Sequence, residues 1–419
     1  MNYKREVIGD NIGFSTIIDE KFNTCSLSVK FITELSSEYT AENEIVSSLL
    51  SMSNSKIKSL SEMNKTMQEL YAASISGRTN TIGYTQVITF SASWICDRFA
   101  LENENITESM LEIVHDCIFS PNTENGAFDS KNFKICQKCL IDDINSILND
   151  KREYAIIQAK KTAFKGEPIE NSFIEIEDAE KVTPKSVFIA YEHLLETSQI
   201  EIFYVAPEEN TAVAEMFRKG FSEITRNSHQ YTIYSNSPIK VEPEKVTEEL
   251  PVNQSKMILL LKGETDDSYA MNMLSIILGG TPVSKLFMNV REKLSLCYYC
   301  SCRYIKNNVI LIDSGVDKEN IQKAYDEIFN QIEEIRNGNI SEEEMQAVIN
   351  AIDDSLSSVG DTPVQYVNWY FDRFCNGDII TPQQYFDKFC SVTKESIINT
   401  AKSIKPDTSY YLINKEISE

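Results

Sequence analysis

The side chains able to do chemistry are sparse in this sequence and fall in a few places. Only three histidines occur, His115, His193 and His229, and no two are helix neighbours, so one helix face cannot present two imidazoles to a metal ion. Ten cysteines are present. Cys136 and Cys139 form a C-x-x-C in a helical pattern, while Cys297, Cys300 and Cys302 crowd a β-rich run. Either group could supply thiolate ligands to zinc. Strict alternation along a strand would put Cys300 and Cys302 on one face and Cys297 on the other, and both groups read as small buried hydrophobes. Cys117 stands two residues from His115, a spacing that suits one apolar helix better than a nucleophile and its base, which the fold normally brings together. There remain Arg291 and, seven residues on, Tyr298. Arginine offers a planar fork of donors for peptide carbonyls or a terminal carboxylate, and a tyrosine hydroxyl can steady a developing oxyanion. Alone, each would equally suit a surface ion pair or a packed sheet.

The elements that must position these residues fall into two halves. In the first, strand-like runs at 13–18 and 26–32 precede helical patterns at 41–52 (Ile45, Leu49, Met52) and 62–73 (Met63, Met67, Leu70, Tyr71). A long β stretch follows at 82–94, then a helix with Thr107 as N-cap, a long and broken helical region over 128–164, a helix opened by Thr183-Pro184, and a strand at 200–205. Periodicity then disappears over roughly 225–252, where Pro238, Pro243 and Pro251 alternate with Lys and Glu as in an exposed linker. The second half repeats the order: strand 257–261, helices 269–278 and 284–293, β from 296 to 314, then helices starting at the capping box Ser341 to Glu344, at Thr381-Pro382 and at Thr393, and a last strand at 410–413. The reading is an N-terminal domain at 1–225, a linker at 226–252 and a C-terminal domain at 253–419, arisen by duplication.

Composition bounds the function. A chain of 419 residues with 42% hydrophobic and 25% charged residues can bury more than one core, which makes two or more domains the expectation. A net charge of −23 without a strong basic block disfavours nucleic acid and anionic lipid as partners. No apolar signal core opens the sequence and no run of apolar residues is long enough to span a membrane, so the cytoplasm is the expected location and the cysteines are expected reduced.

One stretch has a specific look: Leu278-Gly279-Gly280, then Ser284-Lys285-Leu286-Phe287, then Val290-Arg291-Glu292-Lys293-Leu294-Ser295-Leu296-Cys297-Tyr298. It resembles the C-terminal half of the pitrilysin/insulinase zinc peptidases, the inverzincins, which include the mitochondrial processing peptidase. There a glycine pair, S-x-L-F and R-E-x-L-x-L-x-Y occur in this order, and Arg291 and Tyr298 match the two residues that hold substrate. The same family carries zinc on H-x-x-E-H in its first helix, with a third ligand, a Glu, on a later helix. Here the resemblance places Ile45, Ser48 and Leu49, which can neither bind zinc nor deprotonate water, at the His, Glu and His positions, and Asp142 or Asp143 near the third. The stretches Leu70 to Ser74 and Asp143 to Ala155 further resemble an inactive-looking bacterial branch, some members of which are associated with modification of elongation factor P.

The resemblance implies an α+β fold of two tandem homologous halves, each a mainly antiparallel sheet backed by helices, of the LuxS/mitochondrial-processing-peptidase type. It implies a non-catalytic subunit without a cofactor of its own, paired as a heterodimer with an H-x-x-E-H paralogue that carries the zinc. To the partner's site this chain would lend Arg291 and Tyr298 to hold a peptide, with Gly279 and Gly280 permitting close approach of backbone. The rival is a peptide-binding or scaffold protein with no part in proteolysis.

Overall fold

The protein is described by a computed structural model covering residues 1–415. In chain order come β1 (Asn2–Gly9), β2 (Ile12–Ile18), β3 (Thr24–Glu34), α1 (Thr40–Met52), α2 (Leu60–Glu69), β4 (Ser74–Ile82), β5 (Thr85–Ile95) and α3 (Ile106–Phe119). After the short β6 (Thr123–Glu124) and β7 (Ala127–Phe128) follow α4 (Ser130–Ile147), α5 (Lys151–Ala163), α6 (Ile176–Lys181), α7 (Pro184–Thr197), β8 (Gln199–Ala206) and α8 (Thr211–Ser222). The second half holds β9 (Glu244–Leu250), β10 (Ser255–Lys262), α9 (Ser268–Gly279), a π-helix (Leu286–Lys293), β11 (Cys297–Tyr304) and β12 (Val309–Val316). It closes with α10 (Ile321–Arg336), α11 (Glu342–Ser357), α12 (Pro363–Cys375), α13 (Pro382–Cys390), α14 (Lys394–Ser403) and β13 (Lys405–Asn414).

These elements form two compact units, each a mainly antiparallel sheet backed by helices. The first unit takes Met1–Asn145, Asn171–Ile233 and Val359–Asp378; the second takes Ser146–Glu170, Tyr234–Ser358 and the chain from Ile379 onward. The sheet of the first unit has the order β1-β2-β8-β3-β5-β4 and that of the second β11-β12-β10-β13-β9. Read from β4 and from β11, the two orders coincide. Three antiparallel pairings are followed in each by one parallel pairing, β8 with β2 and β13 with β9. The duplication is therefore topological, with β4 and β11 as equivalent edge strands and α1 and α9 as the equivalent helices packed on them.

The units are not the two halves of the sequence, because each half contributes one helix to the other half's sheet. Helix α5 presents Ala155, Ile156, Ala159 and Ala163 at helical spacing, and these pack with Ile258, Leu260, Leu311 and Leu412 in the second unit. Its alanines let the backbone lie close to the sheet. Helix α12 goes the other way, into the first unit, where Tyr370 stacks on Tyr3 at 3.9 Å and Phe371 meets Phe203 edge-on. The change of unit at 233/234 falls inside the stretch read as an exposed linker, and part of that stretch is strand β9. Its sequence, Glu-Lys-Val-Thr-Glu-Glu-Leu, looks solvent-borne because it is an edge strand paired only with β13.

Local signals mark several helix starts. Thr183, Ser341, Thr381 and Thr393 each accept from the third residue of the helix they open. Helix α3 starts earlier than expected: Asn105 is its cap, while the Thr107 hydroxyl accepts from Trp94 and donates to Asp97. Helix α2 stops at Glu69, short of the expected 73, since Tyr71 and Ala72 turn left-handed. Strands β1 and β4 and helices α8 and α12 were not among the expected elements, although α8 and α12 are amphipathic and Thr362-Pro363 opens α12 just as Thr381-Pro382 opens α13.

Candidate functional site

Helix α1 is the one that the resemblance likens to the zinc helix, and its burial pattern decides which face is which. Ile45 and Leu49 are 1% and 2% exposed and lie in the core with Val46 and Leu50. They therefore face away from any position open to a ligand. The 0, 3, 4 spacing is met one residue earlier, by Glu44, Ser47 and Ser48, on the face turned to β4 and β5. The resemblance took Ile45, Ser48 and Leu49, of which Ile45 and Leu49 point into the core; both registers keep the apolar period, so sequence periodicity does not separate the two.

Glu44 is the chemically distinctive residue on that face. Burial raises its carboxyl to about 7, opposed by hydrogen bonds from Gln86 and Thr79 and reinforced by the negative charge of Asp143 on α4. Gln86 Nε2 lies 3.4 Å from Glu44 Oε1, and Gln86 Oε1 in turn accepts from Asn43 Nδ2 at 2.9 Å. Asp142 and Asp143 are exposed on α4, and of the two only Asp143 adds its negative charge to the surroundings of Glu44. Two carboxylates are present where a zinc site needs three donors, and among the described residues no three His, Cys, Asp or Glu side chains converge to hold a metal ion.

Arg291 and Tyr298 lie in the other unit, at the two ends of an irregular stretch. The π-helix is closed by wide hydrogen bonds, Leu294 N to Asn289 O at 3.2 Å and Leu296 N to Val290 O at 3.0 Å, and Ser295 is left-handed with φ 49°. Such wide turns re-aim side chains and recur at functional sites. The Arg291 guanidinium rests over the Phe287 ring at 4.6 Å, its Nε is 3.5 Å from Glu292 Oε1, and the side chain is 40% exposed. Strand β11 then opens with a β-bulge: Cys297 pairs with Val316 and Tyr299 with Gly315, leaving Tyr298 as the extra residue. Its ring stands out at 60% exposure, and its hydroxyl donates to Asp317 Oδ1 at 3.4 Å. The motif predicted Arg291 and Tyr298; Phe287 lay inside the quoted S-x-L-F, and nothing in the sequence pointed to Asp317 or Glu44.

The bulge also corrects the cysteine reading. Cys297, Cys300 and Cys302 all face the same core, because the extra residue restores Cys297 to the side that alternation alone would deny it. Gly279 is consumed by packing: a Cβ there would come within 2.6 Å of Cys302 N and 2.7 Å of Cys302 Cβ, so the missing side chain lets α9 touch β11. At Gly280 a Cβ would approach Ile276 Cα to 2.7 Å. The histidines stay apart. His115 lies beside Asp116 and Phe119, His193 stacks on Tyr39, and His229 sits by Tyr231. Cys117 is fully buried and accepts from Asn54 Nδ2, whereas His115 is partly exposed, so the two form no dyad. Cys136 is buried against Met52, while Cys139 is exposed, contrary to its reading as a buried hydrophobe. No described helix is long and apolar enough to cross a membrane.

The α+β fold of two topologically equivalent units thus carries an Arg/Tyr pair on the second and, among the described residues, no group of His, Cys, Asp or Glu able to hold a metal ion. Residues 181–352 match the family model of the peptidase M16 inactive domain. The chain is 25% identical over 424 residues to a Bacillus subtilis (strain 168) protein named probable inactive metalloprotease YmfF, covering 99% of each. Its fold is similar to that of a conserved protein from Enterococcus faecalis V583, with a TM-score of 0.93 at 23% identity and full coverage of both chains. It is also similar to a peptidase M16 inactive domain from Pseudomonas fluorescens, with a TM-score of 0.79 at 12% identity, again over both whole chains. Over residues 181–352 the chain is thus similar to the inactive domain of the M16, pitrilysin-like peptidases, and along its whole length to a protein named as an inactive metalloprotease.

Proposed function

We propose that this protein is the non-catalytic, substrate-holding subunit of a heterodimeric zinc peptidase, lending Arg291 and Tyr298 to the site of an H-x-x-E-H partner. The observation that carries the reading is the extrusion of Tyr298 at a β-bulge beside a π-helix that bears Arg291. Two costly backbone irregularities flank the pair, while α1 keeps no ligand set. Peptide is the favoured substrate class because β4, the edge of its sheet, runs for nine residues beside α1 with one row of backbone groups unpaired in the sheet. The cytoplasm is the proposed location.

The test is zinc content and molar mass of the chain alone and after co-expression with an H-x-x-E-H paralogue. A zinc-free chain that joins the paralogue one to one in a zinc-containing, peptide-cleaving complex supports the reading. Stoichiometric zinc and peptidase activity in the isolated chain would overturn it. If the complex forms but its turnover ignores substitution of Arg291 and Tyr298, the scaffold reading takes its place.

A further inference from the structure

A cleft of about 720 Å³ opens within the second unit, between the junction of α4 with α5 and the turn that joins β9 to β10. Its charge runs against that of the chain. Acidic side chains outnumber basic ones by 63 to 40 overall, yet Lys151, Arg152 and Lys256 line this cleft, and Asp150 is the one acidic residue among the described residues lining it. Asp150 is already engaged: as the N-cap of α5 its carboxylate accepts from the backbone N–H groups of Arg152 and Glu153, each at 3.0 Å.

The sheet draws two of the cations together. Lys256 of β10 and Tyr299 of β11 stand on either side of Gly315 in β12, which pairs with both. A Cβ at Gly315 would overlap the Tyr299 ring and Gln254 Oε1, so its absence lets the ring lie across the strand. Lys256 Nζ is then 5.5 Å from the centre of that ring, and the Arg152 guanidinium, coming from α5, is 4.7 Å from the same centre. One buried carboxylate serves them, and it takes Arg152: Nε donates to Asp313 Oδ2 at 2.6 Å and Nη2 lies 2.5 Å from the same oxygen, with Asp313 1% exposed. Arg152 stays 48% exposed, and its Nη1 has no partner among the described residues. Lys256 Nζ donates to the neutral Gln254 Oε1 at 2.7 Å, and no described carboxylate lies within ion-pair distance of it. Two like charges over one ring, with one carboxylate between them, repel each other until a further negative charge joins them. Lys256 accordingly sits below the usual lysine range, lowered first by burial and further by Arg152, against the pull of Asp313 and Asp150.

We propose that this cleft is a binding site for a small organic anion, whose phosphate or carboxylate group is held between Arg152 and Lys256. The arginine fork keeps one edge on Asp313 and turns the other to the ligand, a geometry suited to planar or tetrahedral oxyanions, while Lys256 adds a point charge. Lys151 stands at the same cleft, and the side-chain amides of Asn149 and Asn253 offer donors and acceptors to the rest of the molecule. The volume suits a ligand larger than a bare inorganic ion. This site is independent of Arg291 and Tyr298 and of the function proposed above.

The experiment titrates the native, full-length protein with inorganic phosphate and, separately, with citrate, by isothermal calorimetry at constant ionic strength in chloride. Saturable one-to-one binding of either is expected. Phosphate alone would assign a phosphate-bearing ligand, citrate alone a carboxylate-bearing one, and both a site that reads the oxyanion without discriminating its source. Lys256→Gln and Arg152→Lys should each weaken binding by about tenfold or more. Lys256→Gln breaks no ion pair, and Arg152→Lys keeps a cation beside Asp313, so both variants should fold. Lys219→Gln, which removes a cation from α8 in the first unit, should leave the affinity unchanged. Failure of both anions to saturate, or binding that falls equally in Lys219→Gln, would overturn the proposal.

Discussion

Gly77 of β4 lies directly against the carbonyl of Ser47 on α1, so that a Cβ at position 77 would overlap the Ser47 oxygen. Both partners in that contact are backbone, and neither a rotamer change nor a flexible side chain can relieve it. Helix α1 is thereby pressed onto the edge strand beside it, and the equivalent contact in the second unit is made with the glycine on the helix, Gly279 against Cys302.

Gly77→Ala should consequently destabilise the first unit by about 2 kcal/mol or more, the cost of overpacking a site that cannot yield. Gly166→Ala is the control, with a left-handed φ of 81° and open space around its Cβ, and should cost about 1 kcal/mol. Urea unfolding followed by circular dichroism would compare the two; equal losses would show that conformation, not the contact, sets the requirement at Gly77.

Glu44 should make stability depend on pH in the direction opposite to most carboxylates. Burial raises its folded value from 4.5 to about 7, so the folded chain holds a proton that the unfolded chain releases. Its contribution is present below about pH 4.5 and is lost as pH rises to about 7, amounting at most to on the order of 3 kcal/mol. Glu44→Gln keeps the size and stays neutral, and should flatten the dependence between these values. A slope unchanged in the variant would assign the titration to another group.

Lys262 is the hinge of a buried ionic network in the second unit. Its Nζ lies 3.1 Å from Glu167 Oε1 and 3.5 Å from Asp407 Oδ1 and donates to the carbonyls of Ala163 and Pro238 at 2.8 and 3.0 Å. Lys262→Ala would leave two buried carboxylates without their cation, a loss of about 3 to 5 kcal/mol. Thermal unfolding should show the second unit melting first in this variant.

Arg291 and Tyr298 should behave in the contrary way, because both are solvent-facing. Arg291→Lys and Tyr298→Phe are expected to change stability by no more than about 0.5 kcal/mol. In a zinc-bearing complex, Tyr298→Phe should lower kcat by about a hundredfold with KM little altered, as loss of an oxyanion donor does. Arg291→Lys should mainly raise KM, since an ammonium cannot reproduce the bidentate fork. Asp317→Asn tests whether the 3.4 Å contact holds the Tyr298 ring, and should widen its mobility without unfolding the chain.

Much of this protein is decided by neighbours in the chain. The caps at Thr183, Ser341, Thr381 and Thr393 are local hydrogen bonds between residues three apart, and composition suffices to place them. The lack of paired histidines is likewise final at the level of residue type, and so is the motif that holds Arg291 and Tyr298 seven residues apart. Other features were settled only by contacts distant in sequence. The period of α1 admits two registers, and it is the core around Ile45 and Leu49 that turns Glu44, Ser47 and Ser48 to β4 and β5. Strand β9 is a strand because β13, more than 150 residues away, offers it a parallel partner. Helices α5 and α12 leave their own halves to cover the free face of a sheet: α5 sets its alanines on the apolar face of the second, and α12 sets aromatic rings over a mixed face of the first that carries Phe203 and the buried Lys30, a match no local pattern encodes. Tyr298 stands clear, with Cys297 beside Cys300, because β11 carries one more residue than β12 can pair.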